Sequence, residues 1–193
     1  MSGRRLLLAA ILLPGLAACG SASSHGTAAT PAVITAAPTP KPTGIAAVEP
    51  CTVVTSAQLQ QIFGRPLSEG LPNVQARGEC DYGGPGSDGI SVAVGQRTFD
   101  AGSFQAYLLQ EQQVVARGRP EAVMVPAGVG EAAATMAVAQ TTGSAASIWV
   151  LEHGLLVTVS CSFAGVSDPK ALVPKLAAAA RAALPEVLKQ AGA

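Results

Sequence analysis

Between Gly20 and Pro50 the chain consists largely of Ser, Thr, Ala and Pro, with few large apolar side chains beyond Val33, Ile34, Ile45 and Val48. A stretch of this kind cannot remove enough apolar surface from water to offset the entropy of ordering its backbone. Pro31, Pro38, Pro40, Pro42 and Pro50 favour extended conformations, giving an arm that reaches at most roughly 90 Å. His25 lies in this arm as a solvated bystander. A packed fold is therefore expected over residues 51–193, roughly 140 residues and enough for one hydrophobic core.

Ahead of the arm, Arg4 and Arg5 form a basic start and Leu6 to Leu13 an apolar run. Pro14-Gly15 then breaks the run just before Leu16-Ala17-Ala18-Cys19. Residues 1–18 read as a cleavable export signal, too short to span a bilayer. The tetrapeptide resembles the lipobox of bacterial lipoproteins. That resemblance implies a thioether-linked diacylglycerol on Cys19, cleavage after Ala18, and residues 19–50 as a lipid-anchored tether. Two or three acyl chains, at about 0.8 kcal/mol per buried methylene, hold a protein on a membrane durably. The expected location is the outer face of the cytoplasmic membrane, with the lipid on Cys19 as the membrane contact.

Apolar residues make up 49% of the chain but aromatics only 4%, so the core must be built from Val, Leu, Ile and Ala. Its few large anchors are Trp149, Tyr82, Tyr107, Phe63, Phe99, Phe104 and Phe163. The whole chain balances 12 basic against 12 acidic residues, and loss of Arg4 and Arg5 with the leader leaves 10 − 12 = −2. No basic field remains to attract a phosphate backbone, which excludes a nucleic-acid partner.

Thr55 and Gln58 have capping-box spacing, Val54 can staple to Leu59, and Gly64 can stop the helix they begin. Leu59, Ile62 and Phe63 share one face of it. A polar loop follows, then Cys80-Asp81-Tyr82 and Ile90 to Val94 as a β-hairpin around a Gly-rich turn. That turn lacks the Lys-Ser/Thr ending of a phosphate-binding loop and precedes no helix. Asp100 can cap a helix to about Arg117, with Phe104, Tyr107, Leu108, Val114 and Val115 on its apolar side. Val123 to Val125 and Ala134 to Ala139 read as short strands.

The clearest strand pair is Ala146 to Glu152 against Leu155 to Phe163, turned by His153-Gly154. A two-residue turn pairs Val150 with Val157, Ile148 with Val159 and Ala146 with Cys161, making one face apolar. The opposite face carries Trp149, Leu151 and Leu156 among Ser and Thr. Either a helix covers it, the preferred reading, or it is an exposed apolar groove open to an apolar ligand or an envelope protein. Asp168-Pro169 starts a last helix, with a kink or restart at Pro174 and an apolar stripe to Leu184. Hairpin followed by helix thus occurs twice. The expected fold is α+β, a single domain with a mostly antiparallel sheet and helices packed on it.

With Cys19 acylated, three cysteines remain for the domain in an oxidising compartment. Cys51 and Cys80 flank the first helix and are the preferred pair; closing that 30-residue loop is worth about 3.6 kcal/mol in the chain-entropy model. Cys161 is left as a small buried hydrophobe. His153 and Cys161 are eight residues apart on an extended strand, on the order of 25 Å, too far for a catalytic dyad. With no other His in the domain, the common zinc sites and the serine triad lack a member, and no metal or cofactor is expected. Glu79, Asp81 and Asp88 remain as a conceivable carboxylate site near the first hairpin.

Cys51, Thr55 and Leu59, Gly64, Cys80 with an aromatic at Tyr82, and the turn Gly128-Val-Gly130-Glu-Ala-Ala together resemble a family of small actinobacterial lipoproteins whose shared domain is of unknown function. Tyr82 stands where that family more often has Trp. The resemblance covers most of residues 51–184 and implies a surface-anchored, disulfide-containing α+β domain without catalytic residues. Two functional classes follow: a monomeric, non-enzymatic binding or accessory module of the cell envelope, and an envelope hydrolase using a carboxylate pair.

Overall fold

Alternating apolar residues over most of the second half of the chain can be buried only if the strands they form lie side by side. The computed structural model describes residues 44–84, 86, 88–96, 101–116 and 123–193. The leader, Cys19 and the arm up to residue 43 lie outside the described residues. Among those described, seven strands form one antiparallel sheet: β1 (Leu71–Pro72), β2 (Glu79–Gly83), β3 (Gly89–Gln96), β4 (Val123–Pro126), β5 (Ala132–Gln140), β6 (Gly143–Glu152) and β7 (Leu155–Ala164). Their spatial order is β1-β2-β3-β7-β6-β5-β4. The chain builds the β2–β3 hairpin, crosses to the far edge, and returns strand by strand until β7 pairs with β3.

The β6–β7 hairpin has the expected register, Val150 opposite Val157, Ile148 opposite Val159 and Ala146 opposite Cys161. His153 at φ 48° and Gly154 at φ 73° make the turn between them. Two consecutive left-handed residues match the right-handed twist of the flanking strands. In β2–β3, Cys80 faces Val92 and Tyr82 faces Ile90.

Three α-helices cover the sheet: α1 (Ser56–Phe63), α2 (Ala101–Ala116) and α3 (Val173–Ala191). The fold is therefore α+β, a mostly antiparallel sheet with helices on it. Thr55 and Gln58 form the capping box at α1, and Gly64 ends it in the left-handed conformation. Lys175 also donates to the Phe63 carbonyl at the C-terminal end of α1. Asp168 caps a 3₁₀ turn, Pro169–Leu172, and the α-helix restarts at Val173 with Pro174 in its first turn. That position lacks an intrahelical acceptor, so Pro174 is tolerated there. Contrary to the expected end near Leu184, α3 runs on through Pro185 to Ala191. Packing decides this: Val187 is fully buried and Ala191 largely so.

The two faces of the sheet carry separate cores. On one, α1 and α3 close over Cys80, Tyr82, Val92, Ile148, Val150, Val157, Val159 and Phe163. On the other, Phe104 and Leu108 of α2 pack on Met136, Trp149, Leu151 and Leu156. Asp100, the expected cap of α2, and Phe99 lie outside the described residues, as do the side chains of Val114 and Val115. The packed region begins before Cys51: Gly44–Ala47 forms a 3₁₀ turn and Val48 joins the first core.

Candidate functional site

Cys51 and Cys80 are joined by a disulfide, with Cα atoms 5.0 Å apart. This staple ties the start of the packed chain to β2, and three hydrogen bonds from two side chains fix it. Gln190 at the end of α3 accepts from the Glu49 N–H and donates to Thr52 Oγ1, and the Tyr82 hydroxyl donates to the Val54 carbonyl at 2.7 Å. Burial, with the Glu69 carboxylate second, raises the Tyr82 phenol above its ordinary value. The phenol therefore remains a donor under ordinary conditions.

Cys51 of the staple lines a concavity. A cleft of ≈ 660 Å³ opens between the entering chain and the loop before β2, lined by Val48, Glu49, Cys51, Asn73, Arg77, Glu79 and Val94 among others. Its volume falls within the range of small-ligand clefts. Its walls alternate apolar groups with two carboxylates and one guanidinium. The loop wall is held by its own backbone: the Asn73 N–H donates to the Glu79 carbonyl, and Val94 donates to the Gly78 carbonyl.

A second, shallower depression of ≈ 380 Å³ lies on the α2 face, beside the part that α2 covers. Asp81, Ser91, Ser147, Ser160 and Ser162 line it. Register places Asp81 opposite Ser91, Ser91 opposite Ser160 and Ser160 opposite Ser147, one hydroxyl-rich row across four strands. Ser147 and Ser160 share a hydrogen bond at 2.9 Å, and Ser162 donates to Gln140.

The groove reading of Trp149, Leu151 and Leu156 does not hold. They keep only 6%, 3% and 6% of their exposure, because α2 lies over them. Sequence alternation shows that this face is apolar but not which helix returns to it.

The carboxylates of the hydrolase reading do not gather. Asp88 is bound by the Arg65 guanidinium and the Ala164 N–H, while Arg65 also lies over the Phe163 ring. Asp88 thus stitches β3 to β7 and to the loop after α1. Glu79 lines the large cleft and Asp81 the shallow depression. Glu79 and Asp81 are neighbours along one strand rather than opposed across a substrate, which bond cleavage between two carboxyl groups requires.

Cys161 is buried between Ala146 and Ile90 of the adjoining strands. Burial pushes its thiol up to about 12, the reverse of what a nucleophile needs. Among the described residues, three groups able to ligate a metal do converge: Glu131, Glu152 and His153, with ligand atoms within 4.8 Å of one another. Glu131 arrives there because its N–H donates to the Leu151 carbonyl. Glu131 and His153 are exposed and Glu152 half-buried, with Arg181 lining the same depression as Glu152. These residues could share a divalent ion at the surface, but no wall of the fold closes around them. Sequence reading overlooked the trio because strand pairing, not spacing, brings Glu131 to the turn.

Compared with known protein families, curated proteins and solved structures, the chain matches none.

Proposed function

We propose that the protein is a lipid-anchored component of the cell envelope whose folded domain is a non-enzymatic binding or accessory module. The observation that carries this reading is the Cys51–Cys80 disulfide. A structural disulfide belongs to an oxidising compartment, which agrees with the export leader ahead of Cys19. Cys161 is sealed in the core, so the domain's own cysteines are accounted for without Cys19.

The binding reading rests on what the concavities contain. The cleft beside the disulfide mixes apolar wall, Glu49, Arg77 and Glu79, a lining suited to holding a small amphipathic ligand or a segment of an envelope protein. The domain's single His is exposed at the β6–β7 turn, away from that cleft's lining, which leaves the cleft without the most common general base.

Cell fractionation tests the anchor. Wild-type protein is expected in the membrane fraction and Cys19→Ala in the soluble extracytoplasmic fraction. Unchanged membrane association of Cys19→Ala contradicts the reading. Double substitution of Arg77→Ala and Glu79→Ala then tests the cleft: loss of partner cross-linking with retained fractionation and thermal stability supports a binding module.

A further inference from the structure

We propose that the loop from Leu71 to Gly78 is a membrane-contact element, its apolar tip resting in the headgroup region of the bilayer and holding the domain against that surface. The inference rests on the lipid-anchor reading and adds to it a second, non-covalent contact.

Among the described residues, the exposed large apolar side chains are Leu71 at 66%, Val74 at 97% and Leu109 at 50%. Singly scattered exposed apolar residues are normal. Two of these, however, lie three positions apart, Leu71 in the two-residue edge strand β1 and Val74 in the loop that follows it, and that segment is built to keep them outside. Asn73 Oδ1 accepts from the N–H groups of Gln75 and Ala76, which fixes the turn carrying Val74. The Asn73 N–H donates to the Glu79 carbonyl and the Val94 N–H to the Gly78 carbonyl. At the base, Gly70 sits so tightly on the disulfide and Tyr82 that a Cβ there would stand 2.6 Å from Cys80 Sγ. Val74 cannot fold back onto the domain without breaking these bonds.

Position supplies the occupant. Asn73, Arg77 and Gly78 line the same cleft as Ala46, Val48 and Glu49, so the loop lies where the chain enters the domain. From Cys19 to Gly44 there are 44 − 19 = 25 residue steps, and the lipid is proposed to sit at their far end. A second copy pairing on β1 fits poorly, because that edge strand has two residues and one is Pro72, which has no N–H to donate. Glu69, Arg77 and Glu79 leave a net charge of only −1, so the loop offers no strong field for a charged partner. An exposed apolar tip can bury its surface at the headgroup–acyl boundary of a bilayer. The contact is weak alone, and anchoring at Cys19 makes it intramolecular, raising the effective concentration of the membrane at the loop.

The test uses the full chain, expressed with its leader, purified with its lipid, and reconstituted into vesicles of phosphatidylcholine and phosphatidylglycerol containing a doxyl-labelled quencher lipid. An environment-sensitive fluorophore is placed on Val74→Cys and, as a control, on Leu109→Cys; Cys51 and Cys80 are paired and Cys161 is buried, so neither competes for label. Blue-shifted emission and quenching several-fold stronger at position 74 than at 109, reduced by Leu71→Asp, is the expected result. Protein that floats with vesicles but shows equal quenching at both positions overturns the membrane contact and leaves the anchor standing. Dimers cross-linked through Val74→Cys without quenching overturn it in favour of a second copy. Protein that does not float with vesicles at all overturns the anchor and this inference with it.

Discussion

Cys161 shows how one buried side chain ties stability to pH. Burial raises its thiol from 9.0 to about 12, so above pH 9 the unfolded chain loses a proton that the folded chain keeps. Its contribution is complete below pH 9 and falls as pH rises toward 12, by about 1.4 kcal/mol per pH unit. Between pH 9 and 10.5, wild-type protein should lose about 2 kcal/mol more stability than Cys161→Ala, measured by denaturant unfolding at each pH. Equal pH dependence contradicts the burial. At Gly143 the constraint is steric: a Cβ would stand 2.1 Å from the Phe163 carbonyl oxygen. Gly143→Ala should therefore cost about 3 kcal/mol, against about 1 kcal/mol for Gly165→Ala, which meets nothing but its own positive φ, in thermal unfolding. The burial of Cys161 was legible, since strand alternation places it on the apolar side. The need for glycine at 143 was not, because the carbonyl that enforces it belongs to the neighbouring strand.

Among the elements, those specified by local chemistry were the most legible. The α1 capping box, its glycine stop and the β6–β7 register follow from residues a few positions apart. β1, the cleft and the passage of α3 through Pro185 depend on distant partners and were not legible. The cysteine spacing held the best signal for the cleft, since pairing Cys51 with Cys80 brings the chain entry to the loop before β2. Thr55→Ala should lower stability by about 1 kcal/mol, since Gln58 N–H loses its acceptor. Replacing both Cys51 and Cys80 by Ala should lower it by about 3.6 kcal/mol. Thermal unfolding of the two variants side by side checks the order; a larger loss for Thr55→Ala would contradict the assigned role of the disulfide.

For the molecule as a whole, helices on both faces leave the sheet no broad apolar surface in the described region. Under the proposed function, recognition falls to the ends and rims of the sheet, foremost the cleft and loop where the chain enters. Fold class was legible because two hairpins, each followed by a helical stripe, can bury their apolar faces in few ways. The candidate site was less so: the face around Trp149, Leu151 and Leu156 is covered by α2, as the preferred reading had it, so the groove alternative falls away. What unites the fold with the proposed function is the mature amino terminus. Intact mass and N-terminal peptide mass spectrometry of protein isolated from membranes tests it most directly. The account predicts a chain beginning at Cys19 and carrying a diacylglycerol thioether; a chain beginning at another residue, or an unmodified Cys19, would contradict it.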